Sequence, residues 1–323
     1  MMEYKSLGRT GIKVSELCFG TMSFGGRADK SESEKMYKTC REAGINFFDC
    51  ADVYQKGVAE SYLGEFIAKE RDKVVITTKT YGAMGDDVNE KGLNAKHIRL
   101  GVEASLKRLN TDYVDVLFLH HFDPTVREEE TLRAVDRLVS EGKVLSLGVS
   151  NFAAYQVERM LHLTSINQFA PISVIQPMFN IAKRMAEVEL LPMAAYEGLG
   201  VITYSPLGGG LLTGRYKDGY SKASGRLVEN QNYNKRYGGQ FYEQVAREYS
   251  ELCSKWGISE ATLAVAWVMA HKQVTAPIIG AAHTEHLKQS LQAVSLTLDP
   301  DLLKAIDAIS PPPPPATDRS EEQ

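Results

Sequence analysis

The chain repeats one unit eight times: a short run of apolar or β-branched residues, then an amphipathic stretch of about three to five helical turns. This alternation is the signature of βα units feeding a parallel sheet. The strand runs fall at residues 17–20, 46–49, 74–79, 115–120, 145–150, 174–176, 201–205 and 276–279, and most are apolar on both sides, as doubly covered parallel strands must be. Stretches 33–43, 94–109, 128–140 and 153–163 carry apolar residues at helical spacing, and Glu141-Gly142-Lys143 forms a helix stop. Eight units in 323 residues fit one (β/α)₈ TIM barrel. An open doubly wound sheet would place a glycine-rich phosphate turn after its first strand. Here that position reads Thr21-Met22-Ser23-Phe24-Gly25-Gly26, without the spacing that opens a dinucleotide-binding helix.

Three segments lie outside the repeat. Residues 4–7 and 14–17 flank Gly8-Arg9-Thr10-Gly11 and read as an N-terminal β-hairpin under the barrel. Residues 206–240, after strand seven, are rich in Gly, Tyr, Asn and basic side chains and read as a long functional loop. From Ser310 onward, five consecutive prolines and a charged end read as an extended, disordered tail, leaving residues 1–309 as the single domain.

A net charge of -4 gives no support to nucleic-acid or membrane-surface binding, so small molecules are the expected partners of a monomer or homo-oligomer. Cys18, Cys40, Cys50 and Cys253 lack both metal-site spacing and disulfide density, and no apolar leader or spanning run occurs. The expected location is the cytoplasm, with no metal.

Active sites of parallel barrels gather where strands end. The second run ends in Asp49 and leads to Tyr54, the third ends in Lys79 and the fourth in His120. Reduction of a carbonyl needs an acid for the developing alkoxide. A tyrosine is suited to this if an ammonium lowers its pKa and a carboxylate holds that ammonium in place. Tyr54 is thereby expected as acid/base, Lys79 as its tuner, Asp49 as the partner of Lys79, and His120 as a hydrogen-bond donor to the substrate oxygen. Strand alternation alone leaves His121 as a rival to His120.

The run Gly44-Ile45-Asn46-Phe47-Phe48-Asp49-Cys50-Ala51-Asp52-Val53-Tyr54 resembles the signature of the aldo-keto reductases. Ordered matches continue through residues 75–79, 112–120, 142–152, Gln176, 204–207 and 277–280. The resemblance favours His120 over His121. It implies NADP, with NAD possible, bound extended across the barrel mouth. Gly20, Thr21 and Asp49 would border the nicotinamide; Ser150, Asn151 and Gln176 would bind its carboxamide; Tyr204 would stack on the ring. Ser205, Pro206, Leu207, Gly208, Gly210 and Leu211 would follow the pyrophosphate, with Arg215 and Arg226 in a basic lid. Gly280, Ala282, His286, Gln289 and Ser290 would meet the adenosine end. Departures from the family pattern cluster there: Ala281-Ala282-His283 replaces the common basic or serine residue, leaving His283, His286 or Lys288 for a 2′-phosphate, and Ser290 replaces a common Asn. Cys50 and Leu145 replace a common Thr and a frequent Arg.

Met22, Phe24, Tyr81, Met84 and Phe122 are the expected substrate walls, apolar enough for uncharged aliphatic, aromatic or sugar-derived aldehydes. Two rival readings are a nucleotide-binding regulatory subunit resembling potassium-channel β subunits and an aldolase using Lys79 as a Schiff-base nucleophile.

Overall fold

The computed structural model describes residues 2–319 and Glu321. A two-stranded antiparallel hairpin, β1 (Tyr4–Ser6) and β2 (Lys13–Ser15), precedes eight parallel strands. These are β3 (Cys18–Gly20), β4 (Phe47–Asp49), β5 (Val75–Thr80), β6 (Val114–Leu119), β7 (Val144–Ser150), β8 (Ile172–Gln176), β9 (Gly200–Thr203) and β10 (Ala276–Ile279). They pair in sequence order, and β10 closes on β3 to seal the barrel.

Helices return the chain between strands: α1 (Lys30–Glu42), α2 (Val58–Ile67), α3 (Ala95–Leu109), α4 (Glu128–Ser140), α5 (Ala154–Asn167) and α6 (Leu190–Glu197). Their starts and stops follow local chemistry. The Asp29 side chain accepts from the Glu32 backbone N–H at the start of α1, Asn94 does the same for His97 at α3, and Asn110 ends α3 in a left-handed conformation. None of the helices among the described residues is long and apolar enough to cross a membrane.

Two apolar cores result from period-two alternation along the strands. Leu7, Val14, Cys18, Phe47, Val75, Val116, Phe118, Val174, Ile202, Ala276 and Ile278 form the barrel interior, with Leu7 and Val14 brought in by the hairpin. The intervening residues, such as Phe19, Phe48, Ile76, Leu117 and Val149, pack outward against the helices. Gly148 faces inward, where a β-carbon would stand 2.4 Å from the Phe118 ring, so the glycine makes room for the large side chain on the neighbouring strand.

Residues 206–240 depart from the long irregular loop expected. They fold into a 3₁₀ stretch Gly208–Thr213, a turn Tyr220–Lys222, and two short helices, α7 (Arg226–Glu229) and α8 (Gln231–Tyr237). Positive φ at Gly208, Gly209, Gly210, Gly214, Gly219 and Gly225 cuts the segment into pieces too short for helical periodicity to register. Asn230 caps α8, accepting from Asn232 and Tyr233. The chain then forms α9 (Gln240–Trp256) and α10 (Glu260–Met269) before β10, and α11 (Thr284–Leu291) and α12 (Pro300–Ile309) after it. Ser310 is tied down: its carbonyl accepts from Arg184 at 2.7 Å and its hydroxyl donates to Ile181 at 2.6 Å. Residues 311–315 have no regular secondary structure. The expectation of disorder at positions 320, 322 and 323 lies outside the described residues.

Candidate active site

Each inward-facing row of the barrel changes character at the carboxyl end of its strand. Two residues beyond Cys18 comes Gly20; Phe47 leads to Asp49, Val75 and Thr77 to Lys79, and Phe118 to His120. Gly148 leads to Ser150, Val174 to Gln176, Ile202 to Tyr204, and Ile278 to Gly280. The same parity that fills the barrel floor with hydrocarbon therefore presents these groups at its mouth. It also separates the two histidines: His120 continues the inward row of Val116 and Phe118, while His121 follows on the opposite parity and stacks on it, ring centroids 5.2 Å apart.

Lys79 is fully buried and donates to Asp49 Oδ2 at 2.6 Å, to the Cys50 carbonyl at 2.7 Å and to Tyr54 OH at 3.3 Å. Asp49 Oδ1 accepts from Thr77 Oγ1 at 2.7 Å and Gln176 Nε2 at 2.9 Å, so both carboxylate oxygens are engaged. Burial pulls against the charge on Lys79, but Asp49 and Tyr54 outweigh it and hold the ammonium above its ordinary pKa. The His120 ring lies 6.3 Å from that of Tyr54, at 80°. Burial, then the Lys79 charge, pushes the His120 imidazole down to about 3, which leaves it neutral and able to donate one hydrogen bond.

The tyrosine corrects one expectation in sign. Lys79 does lower the phenol, but burial outweighs it and Tyr54 is pushed up to about 12. The group therefore rests as a protonated acid. The following residues, Gln55 and Lys56, have φ of 49° and 53°, a strained left-handed pair that turns the chain sharply after Tyr54. Beneath this turn Asp52 is fully buried; its Oδ1 accepts from the Val53 N–H at 2.6 Å, and its Oδ2 has no partner among the described residues. Glu60 lies nearby, held by Thr78 and Arg108.

A second polar network runs along β7, β8 and β9. Ser150 Oγ donates to the Gln176 carbonyl at 2.9 Å, and Asn151 Nδ2 donates to the His120 carbonyl at 2.8 Å. Tyr204 OH donates to Asn151 Oδ1 at 2.7 Å, which fixes the ring at the mouth. Asn151 and Ser205 both take a φ of 60°, unusual for their residue types and a mark of a constrained site.

These groups open into one cavity of about 880 Å³, within the range that holds a large ligand. Its walls bring together Gly20, Met22, Asp49, Tyr54, His120, Ser150, Asn151, Gln176, Tyr204, Ser205, Pro206, Leu207, Gly210, Arg215, Arg226, Gly280, Ala282, His286 and Gln289. Other anticipated residues stand behind the wall. Thr21 donates its hydroxyl to the Asp49 carbonyl, and Gly208, Leu211 and Ser290 are buried. Phe24 is fully buried and packs against Phe19 and Phe66 in the outer core, so it is not a substrate wall. Tyr81, Met84 and Phe122 are likewise absent from the lining; Tyr81 packs on His121 and Phe122 on Phe152.

Several lining residues were not anticipated from the sequence: Ser23, Arg27, Tyr216, Asn230, Asn232 and Tyr233. Arg226 and Arg236 both stack on the Tyr233 ring, at 4.8 and 5.4 Å, and the spacing of these three residues over α7 and α8 was the available signal. Four arginines but a single carboxylate, Asp49, line the cavity. Among the described residues, no cluster of three or more His, Cys, Asp or Glu side chains could hold a metal.

Barrel, mouth and buried Asp–Lys–Tyr contact together define a (β/α)₈ barrel whose polar groups gather in one cavity at its carboxyl-terminal face. Residues 16–311 match the model of the aldo/keto reductase family. The chain is 36% identical to "Uncharacterized oxidoreductase YrpG" of Bacillus subtilis (strain 168), covering 97% of each chain. It is also 36% identical to "Probable voltage-gated potassium channel subunit beta" of Oryza sativa subsp. japonica, over 95% of this chain and 96% of the other. Identity to "Norsolorinic acid reductase" of Aspergillus flavus is 35%, over 93% and 79%. The chain belongs to the aldo/keto reductase family, a family of oxidoreductases that typically work with a nicotinamide cofactor.

Proposed function

We propose that this protein reduces aldehydes and ketones to alcohols, reversibly, with NADP(H) as the preferred cofactor and NAD(H) possible. The contact of Tyr54 OH with the Lys79 ammonium, itself locked on Asp49 at 2.6 Å, carries the reading. The residues present fit the cofactor. Among the described residues, four arginines have no ion-pair partner and suit its phosphates, and Ser23 Oγ is a buried hydroxyl without a partner; Gly209 and Gly210 offer bare backbone at the wall. Ser150, Asn151 and Gln176 would take the carboxamide, and Tyr204 the ring face. Arg215 and Arg226 would hold the phosphate that distinguishes NADP. When bound, the cofactor supplies the hydride.

The remaining work falls to the chain. A substrate carbonyl oxygen at the mouth receives a hydrogen bond from neutral His120, which orients it. Tyr54 gives its phenolic proton to the oxygen as negative charge develops, and Lys79 stabilises the phenolate left behind. In the reverse direction the phenolate takes the alcohol proton.

The relatives named as potassium-channel β subunits favour a second reading, a nucleotide-binding regulatory subunit. One experiment separates them. Purified protein is titrated with NADPH and NADH by intrinsic fluorescence, then assayed on a panel of aldehydes, beside Tyr54→Phe. The reductase reading expects turnover that falls about 10²- to 10⁴-fold in Tyr54→Phe with cofactor affinity within twofold. Cofactor binding without turnover of any aldehyde, or turnover retained in Tyr54→Phe, refutes it.

A further inference from the structure

The inward row of β5 interrupts the hydrocarbon floor of the barrel at one place. Between Val75 and Lys79 stands Thr77, fully buried, opposite Asp49 on β4 and Val116 on β6. Valine has nearly the same shape and would continue the apolar surface that Val75 and Val116 supply, so the hydroxyl is the feature that needs a reason. It donates to Asp49 Oδ1 at 2.7 Å. Its direction is set in advance. A β-branched side chain is stiff about χ1, and the Thr77 carbonyl accepts from the Cys50 N–H at 2.9 Å, which ties the end of β4 to the strand that carries the hydroxyl.

Asp49 Oδ1 has a second donor, Gln176 Nε2 at 2.9 Å, and the two donors differ in kind. Gln176 reaches across from β8, four strands from β4 in the ring of eight, and it lines the cavity. In the reading above its amide is claimed by the nicotinamide carboxamide. Thr77 stands on the strand next to Asp49 and below the cavity wall, where no ligand competes for its hydroxyl. A carboxylate turns easily about its last torsion, so contacts alone fix its plane. When the plane turns, Oδ2 leaves the Lys79 ammonium. Of the three bonds that ammonium makes, the one to Tyr54 OH, at 3.3 Å, is the longest and the first to be lost when the ammonium shifts.

We infer that Thr77 is a positioning residue for the proton transfer: its hydroxyl fixes the plane of the Asp49 carboxylate, and through it the aim of Lys79 at Tyr54, while Gln176 turns to the bound nicotinamide. This rests on the reductase reading above and adds to it a residue that touches neither substrate nor cofactor.

The test compares Thr77→Val, which keeps the shape and removes the hydroxyl, with Thr77→Ser, which keeps the hydroxyl. Each is assayed with NADPH and the aldehyde that the wild type reduces fastest, and NADPH affinity is measured separately by fluorescence titration. Thr77→Val should lower kcat about tenfold, the scale of one hydrogen bond to a charged group, with KM for the aldehyde and the NADPH affinity within about twofold of wild type. Thr77→Ser should restore kcat to within about threefold of wild type. In a Lys79→Met background the change to valine should cost less than about twofold, because its effect passes through the ammonium that is no longer there. Wild-type kcat in Thr77→Val overturns the inference, as does a loss that serine fails to restore or one that persists in full without Lys79. A fall in NADPH affinity that matches the fall in turnover also overturns it, since the residue would then be serving the packing of the mouth. If the wild type reduces no aldehyde, the reductase reading fails and the inference falls with it; wild-type turnover with any of the other contrary results overturns the inference alone.

Discussion

Replacing Lys79 with methionine separates what this side chain does for stability from what it does for chemistry. Methionine keeps an unbranched apolar stem and removes the cation. Lys79 is fully buried, so the change strands the Asp49 carboxylate with only its Thr77 and Gln176 bonds and deprives the Cys50 carbonyl of its donor. Removing one partner of a buried pair typically costs about 3–5 kcal/mol. The orphaned carbonyl falls within that figure rather than adding to it in full, because the smaller penalty for one unmade bond is about 1–3 kcal/mol. A loss of about 4 kcal/mol leaves a domain of ordinary stability folded. In urea, followed by tryptophan fluorescence, the midpoint should fall by about 1 M or more at a slope of about 3 kcal/mol per molar. Aldehyde reduction by the folded variant should drop about 10²- to 10⁴-fold. The double variant Lys79→Met, Asp49→Asn strands no charge, so it should regain most of the lost stability and none of the activity. A single variant that loses less than about 1 kcal/mol, or a double variant no more stable than the single, would refute the account of a buried pair locked in place.

Two further outcomes follow from the same structure. Arg215→Ala with Arg226→Ala should weaken NADPH at least tenfold more than NADH, measured by fluorescence titration; equal losses would remove these residues from recognition of the extra phosphate. Burial, with Glu60 adding to it, pushes the Asp52 carboxyl up to about 7. Its folded pKa lies above the unfolded one, so the folded state holds the proton more tightly and stability falls as pH rises from about 4 to about 7. Asp52→Asn removes that slope, and its urea midpoint relative to wild type should rise by the equivalent of about 2–4 kcal/mol between pH 4 and pH 8; a gap independent of pH would exclude the buried acid as its source.

The barrel was legible because one repeating pattern, apolar strand then amphipathic helix, fixes both the layers and their order. The mouth was legible for the same reason: residues two places beyond a buried inward position share its direction, so Asp49, Lys79 and His120 could be located from their strands. What separates His120 from His121 is the inward packing of Val116 and Phe118, which a single strand of mixed apolar residues does not reveal. Phe24 was misread because an aromatic residue just after a strand can turn either to the mouth or to the helix layer, and here Phe19 and Phe66 draw it outward. The sign of the Tyr54 shift depends on how much water the cavity excludes, a three-dimensional property with no trace in spacing. In residues 206–240, left-handed glycines hide the short helices that carry Arg226 and Arg236.

Closure of the ring between β10 and β3 has a consequence for synthesis. β3 and β10 are the first and last strands of the barrel in chain order, yet a β-carbon on Gly280 would stand only 3.6 Å from the Gly20 carbonyl oxygen. A nascent chain that still lacks its last strand has already made Asp49, Tyr54, Lys79 and His120, but the stave that completes the rim is missing. A chain stopped before β10 therefore lacks the strand that seals the barrel and the Gly280 edge of the cavity, and it holds no closed vessel in which to react.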